Sequence, residues 1–146
     1  AGQVDKDGNV NATRLGPNPT GAGGFIDITT NAKHIVFCST FTGKGLEVSF
    51  EGGKVTIVKE GSLIKFVNKL QQISYNGVIA RNKGQKMHYV TERAVFELTP
   101  EGLVLTEIAN DEFRSWRGLR FSTPHGRRVW SITSTAHRSS LRTRTI

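Results

Sequence analysis

The residues best suited by type and spacing to do chemistry are Gly21-Ala22-Gly23-Gly24-Phe25-Ile26-Asp27. Consecutive glycines permit positive φ and let the backbone approach a ligand closely. A helix that starts just after them turns unpaired N–H groups and the positive end of its dipole toward an anion or oxyanion. The chemistry such a loop supports is stabilisation of developing negative charge. A tight loop that only turns the chain has the same composition, and spacing alone does not separate the two. The run is not a dinucleotide fingerprint, which needs a preceding strand and G-x-G-x-x-G spacing. Nor is it a Walker loop, which ends in Gly-Lys-Ser/Thr.

Other reactive residues fall short of a site. Asp5-Lys6-Asp7-Gly8-Asn9-Val10-Asn11 has oxygen side chains at every second position, like the start of a calcium loop. Its glycine is fourth rather than sixth, however, and the twelfth residue, Gly16, has no carboxylate, so a turn before a strand is expected. His34, His88, His125 and His137 share no metal-ligand spacing with one another or with Cys38, and no nucleophile pairs with them in sequence. No metal is expected. Cys38, the only cysteine, rules out an intrachain disulfide and reads as a small core residue.

The elements that must position these residues follow from pattern. Gly16 to Gly24 is a loop by its Gly, Pro and Asn content, and Phe25 to Ala32 is predicted as a short helix. His34 to Phe41 is a short apolar run rich in β-branched and aromatic residues, which predicts a buried strand. Leu46–Phe50 and Lys54–Val58 alternate in period two around Glu51-Gly52-Gly53, the pattern of a hairpin. Ala94–Leu98 and Leu103–Glu107 form a second such pair around Thr99-Pro100-Glu101-Gly102. Ser62 to Gln71 is compatible with strand or helix, and Val78 to Gly84 with a helical turn. Together these predict an α/β domain with a mixed sheet and short helices.

The chain has 146 residues, enough for one core, and lacks the long apolar run of a membrane helix or the basic and apolar start of a secretory signal. A cytoplasmic protein without a membrane partner is expected. The net charge of +8 is unevenly placed. Residues 1–109 hold nine lysines and three arginines against ten acids, whereas residues 110–146 hold eight arginines, no lysine, and only Asp111 and Glu112. Trp116 and Trp130 also lie in this second part, which lacks sustained helical or strand periodicity and is expected to be weakly ordered. Two regions result: 1–109, a domain, and 110–146, an arginine-rich tail. An alternative function is therefore binding of nucleic acid or another polyanion through that tail, although without a recognisable binding fold nucleic acid is not the expected partner.

Residues 1–109 resemble the family I coenzyme A-transferases of the acetate, propionate and 3-oxoacid type. Three stretches carry the resemblance: VDKDGNVNATRLGPNPTGAGGFIDITTNAKHIVFCSTFT, LEVSFEGGKVTIVKEGSLIKFVNKLQQISYNG and KGQKMHYVTERAVFELTPEGLVLTEIA. The resemblance implies the fold of the second, carboxy-terminal half of such an enzyme. It also implies ping-pong transfer of CoA between an acyl-CoA and a short-chain carboxylate through a glutamyl-CoA thioester, with coenzyme A as substrate and a homo-oligomeric intact enzyme. The family's G-x-G-G-F motif maps onto Gly21, Ala22, Gly23, Gly24 and Phe25, and in the family its amides help form an oxyanion hole. That role falls here on Gly23 and Gly24. The family's catalytic glutamate lies in an E-x-G motif upstream of this loop. The sequence has that pattern only at Glu51-Gly52-Gly53, downstream and in an expected hairpin turn, so no catalytic residue is expected in this chain and the role is not transferred to Glu51. After LTEIA the arginine-rich tail departs from the family pattern.

Overall fold

A computed structural model of the chain describes residues 2–17, 19–109, 120–122 and 129–131, the last two stretches by their backbone alone. The elements in order are β1 (Gln3–Asp5), β2 (Val10–Asn11), α1 (Phe25–Asn31), β3 (His34–Cys38), β4 (Thr42–Gly43), β5 (Glu47–Glu51), β6 (Lys54–Lys59), β7 (Leu63–Ile64), β8 (Phe66–Val67), α2 (Gly77–Asn82), β9 (Lys86–Val90), β10 (Ala94–Thr99), β11 (Gly102–Ile108), β12 (Arg120–Ser122) and β13 (Val129–Ser131). The expected α/β architecture with a mixed sheet and short helices is what the chain adopts. The principal sheet has the order β12-β13-β11-β10-β9-β3, with β3 and β9 parallel and the remaining pairs antiparallel. A three-stranded sheet, β2-β1-β8, and two ribbons, β4-β7 and β5-β6, complete it.

One face of the principal sheet carries the core. Ile35 and Phe37 of β3, Met87 and Tyr89 of β9, Phe96 and Leu98 of β10, and Leu103 and Leu105 of β11 are buried, together with Val4 and Val10 from the small sheet. The Phe37 ring stacks on Tyr89 with centroids 5.2 Å apart and meets Tyr75 edge-on at 5.3 Å. Phe66 lies between Phe41 (4.8 Å) and Phe96 (5.2 Å), so aromatic contacts bind the small sheet to the large one. A fully buried Phe contributes on the order of 1.5–3 kcal/mol over its exposed state. These aromatic contacts therefore hold β1, β2 and β8 in place.

The turn between β1 and β2 is knitted by a buried carboxylate. Asp5 is 3% exposed, and its Oδ1 accepts the N–H groups of Asp7 and Asn9 (3.0 Å each) while Oδ2 accepts Asn9 Nδ2 (3.0 Å). Asn9 Oδ1 in turn accepts the Gly77 N–H at 3.0 Å, which seats the start of α2 on this turn. The approach is so close that a Cβ on Gly77 would stand 2.5 Å from the Gly8 carbonyl oxygen. The segment is thus the expected turn before a strand, its side-chain oxygens spent on hydrogen bonds within the turn and to the start of α2.

Both predicted hairpins are present. In β5–β6 the register closes at Glu51 and Lys54, leaving Gly52 and Gly53 with φ of 57° and 73°, the two positive values a type I′ turn demands. In β10–β11 it closes at Thr99 and Gly102. The ambiguous stretch Ser62 to Gln71 contains two short strands, β7 and β8. One prediction needs correction. The His34 to Phe41 run is not a strand buried on both faces: β3 ends at Cys38, forms the edge of the sheet, and alternates exposed and buried. Val36 and Cys38 are exposed, so Cys38 is not a core residue. An apolar run announces burial but not on how many faces, and that depends on which strand takes the edge. Within the tail, β12 and β13 pair with each other, and β13 meets β11 at Val104 and Val129. Trp116, His125 and His137 lie outside the described residues, as does the Trp130 side chain.

Candidate functional site: the glycine loop and its supports

The loop from Gly16 to Gly24 is anchored at its near end by backbone pairing of Thr20 N–H with Thr13 O (2.8 Å) and by an isolated bridge between Arg14 and Pro19. At its far end it runs straight into α1. Helix α1 docks through Phe25, whose ring is 6.1 Å from Phe37, and through Thr29, which is buried. Its carboxyl end is held from across the fold by Gln85, whose amide donates to the carbonyls of Thr29 and Ala32. A helix of seven residues has too few internal bonds to persist by itself. Docking and this cap therefore give the loop its fixed exit.

Within the loop Gly21 and Gly23 have φ of 78° and 50°, the left-handed region that favours glycine. Both are exposed, and no heavy atom lies within 4 Å of where a Cβ would stand, so the requirement there is conformational rather than steric. Gly24 differs. Its φ of −80° and ψ of 3° suit any residue, and a Cβ would only touch Ile28 Cδ1 at 3.5 Å. A side chain would thus be strained at Gly23 through its φ and tolerated at Gly24. Among the described residues neither N–H is hydrogen-bonded, whereas the Phe25 N–H already donates to Ala22 O at 3.1 Å. Two amide donors are therefore left without a protein partner at exposed residues beside the start of α1. Asp27, in the first turn, supports the helix dipole and opposes an incoming anion.

Glu51 stands exposed at the tip of the separate β5–β6 ribbon, opposite Lys54, and not in the loop. His34 and His88, 54 residues apart, come together: the parallel register of β3 and β9 brings His34 Nε2 to 2.9 Å from His88 Nδ1. No sequence spacing signals this contact, because it depends on which strands pair. Among the described residues no group of three or more His, Cys, Asp or Glu side chains is placed to hold a metal ion. No helix among them is long and apolar enough to cross a membrane.

A second cluster also escaped sequence reasoning. Arg93 is 4% exposed, and its guanidinium donates from Nη1 and Nη2 to Glu60 (2.7 and 3.2 Å) and from Nε to Glu92 (2.8 Å). It lies 4.9 Å over the Phe41 ring, and Glu92 Oε2 accepts the Phe41 N–H at 2.8 Å. Desolvation pulls the Arg93 pKa down, but hydrogen bonds and charge from both carboxylates more than offset it and leave it raised. Burial likewise pushes Tyr75 up to about 12, and Tyr89, more deeply buried, further still.

The site is thus a glycine loop that opens a short helix, with two uncommitted amide donors, on an α/β fold with a mixed sheet. No family model matches the chain. It is 44% identical to acetate CoA-transferase YdiF of Escherichia coli K12 over 107 residues, which is 73% of this chain and 20% of that protein. It is 39% identical to caffeate CoA-transferase of Acetobacterium woodii over 112 residues, 73% of this chain and 21% of that one. Among solved structures, apo YdiF acyl-CoA transferase of E. coli O157:H7 superposes with a TM-score of 0.72 at 44% identity, covering 74% of this chain and 21% of that one. The thioester complex of YdiF with CoA gives a TM-score of 0.72 at 43% identity, covering 73% and 21%. Over that stretch this chain is related to the coenzyme A-transferases, and it spans about one fifth of the length of the curated relatives it matches. The polyanion-binding alternative rests on the tail, whose side chains lie outside the described residues.

Proposed function

We propose that residues 1–109 are part of an acyl-CoA:carboxylate CoA-transferase and contribute its oxyanion loop, with 110–146 an arginine-rich tail atypical of the family. The single observation that carries this reading is a pair of unbonded amides, Gly23 and Gly24, in a chain 44% identical to a CoA-transferase over most of its length. In the intact enzyme, which we take to be a cytoplasmic homo-oligomer, a glutamate outside this chain attacks the acyl-CoA. That attack expels CoA thiolate and leaves an acyl-glutamyl anhydride; the thiolate then attacks the glutamyl carbonyl, releasing the donor carboxylate and leaving a glutamyl-CoA thioester. An acceptor short-chain carboxylate reverses the two steps, taking up CoA and freeing the glutamate, so one hard exchange is divided into successive acyl transfers. Each transfer passes through a tetrahedral oxyanion. The Gly23 and Gly24 N–H groups would donate to that oxygen, and Gly21, Ala22 and Phe25 would shape the loop around the thioester. Fixed N–H dipoles are most effective in stabilising such charge where water is excluded.

Two experiments test this. The isolated chain, mixed with acetyl-CoA and a carboxylate acceptor, should leave CoA where it was; turnover abolished by Glu51→Ala would overturn the assignment and place the nucleophile in the hairpin. Residues 1–109 exchanged into a full-length relative in place of its own matching segment should support transfer. In that chimera Gly24→Pro removes one N–H at a φ proline accepts. Losing one oxyanion donor should lower kcat by roughly 10²–10³. Transfer unchanged by Gly24→Pro would remove the oxyanion role.

A further inference from the structure

We infer that His34 and His88 form a two-imidazole chelate for a divalent transition-metal ion, with Zn2+ as its probe. The two side chains stand on the face of the principal sheet opposite the core, where Val36 and Cys38 are exposed, and His34 is itself exposed. Their ring nitrogens already converge, with His34 Nε2 and His88 Nδ1 2.9 Å apart and ring centroids 5.0 Å apart. That separation is close to what a shared metal ion needs. Two Zn–N bonds of about 2.05 Å at a tetrahedral angle put the nitrogens about 3.3 Å apart. The nitrogens must therefore separate by a few tenths of an ångström, and each ring must turn its lone pair about 35° off the N–N line to meet a shared ion, a movement of side chains rather than of strands.

The strands hold the geometry rigidly. β3 and β9 are parallel neighbours with a continuous register from His34 opposite Lys86 to Cys38 opposite Val90. His88 pairs with Val36 on one side and with Glu97 of β10 on the other. In the metal-free protein a hydrogen bond joins the two rings, its direction set by their tautomers. To bind the ion, both lone pairs must face it, so His34 carries its proton on Nδ1 and His88 on Nε2. Water completes the coordination sphere. Of the charged groups in register on this face, Glu97 favours a dication and Lys86 opposes it, and protons compete for the same lone pairs, so binding weakens on acidification. The inference does not depend on the transferase reading, and its outcome leaves that reading untouched.

The test is calorimetric titration of the full chain with Zn2+ in a non-coordinating buffer, with His34→Gln, His88→Gln, Cys38→Ser and the pair His125→Gln/His137→Gln as variants. The expected result is a site of one ion per chain, kept in the Cys38 and tail-histidine variants. It should be weakened in each of the first two by no less than the roughly 10–100-fold that loss of an outer partner costs a metal site. Nitrogen NMR of the unmodified chain removes dependence on variant folding: Zn2+ should shift His34 Nε2 and His88 Nδ1 selectively. Absence of binding, binding indifferent to His34→Gln and His88→Gln, or shifts confined to His125 and His137 would overturn the inference.

Discussion

Replacing Arg93 by methionine removes a guanidinium but keeps most of the side-chain volume, so the measured loss isolates charge from packing. Two carboxylates lose their partner, but unequally. The Glu60 side chain is 41% exposed and rehydrates, whereas that of Glu92 is only 10% exposed and keeps one acceptor bond, from the Phe41 N–H. Breaking a buried ion pair by removing one partner costs about 3–5 kcal/mol. With one of the two carboxylates able to recover water, the lower end applies, about 3 kcal/mol. For a chain of this length that corresponds to a fall in Tm of roughly 10 °C. The sign of a second substitution makes the test sharp. Glu92→Gln should destabilise the unmodified protein, because it weakens the contact to Arg93. In the Arg93→Met background it should stabilise, because it removes an uncompensated buried charge while its amide oxygen still accepts the Phe41 N–H. Urea denaturation of the four proteins of this cycle, followed by circular dichroism, measures both steps. If Glu92→Gln has the same sign in both backgrounds, the cluster is not a desolvated charge network and the reasoning fails. The effect should also survive added salt, unlike the exposed pairs Lys6–Asp7 and Lys59–Glu47.

The chain has only two tyrosines, and both are pushed above their ordinary value of 10.0 by burial, Tyr75 to about 12. Unfolded tyrosine ionises first, so the stability these groups contribute is complete below pH 10 and is lost as pH rises toward 12. Near-ultraviolet tyrosinate absorbance should therefore appear only together with loss of circular dichroism, and a normal tyrosine titration on a folded chain would contradict the burial. Gly77→Ala would drive a Cβ against the Gly8 backbone and should cost about 1–3 kcal/mol or more in chemical denaturation; a neutral result would mean that α2 does not sit on the β1–β2 turn. Gly23→Ala must hold alanine at a φ of 50° and should destabilise by about 1 kcal/mol, while Gly24→Ala, at −80°, should be within about 0.5 kcal/mol of neutral. Equal losses at the two positions would refute the difference in their backbones.

Local features were legible without any structure. Gly52 and Gly53 declare a turn of two positive φ values, the Gly16 to Gly24 composition declares a loop, and α1 begins at Phe25 where it was expected. The resemblance to coenzyme A-transferases was also readable, because G-x-G-G-F and its flanking stretches keep their order along the chain. What the residues could not convey was their neighbours across the fold. The run from His34 to Phe41 predicted burial, yet β3 took a sheet edge and left Val36 and Cys38 exposed, since strand order is decided by pairing partners far away in sequence. The loop's glycines were legible as a group, but the distinction between a strained Gly23 and an ordinary Gly24 belongs to the docking of α1. His34 with His88, and Arg93 with Glu60, are separated by 54 and 33 residues and carry no periodic signal. Sequence pattern records each residue's preference for an environment, which is short-ranged. Tertiary structure alone decides which two such environments coincide, because that depends on the closure of long loops around a shared core.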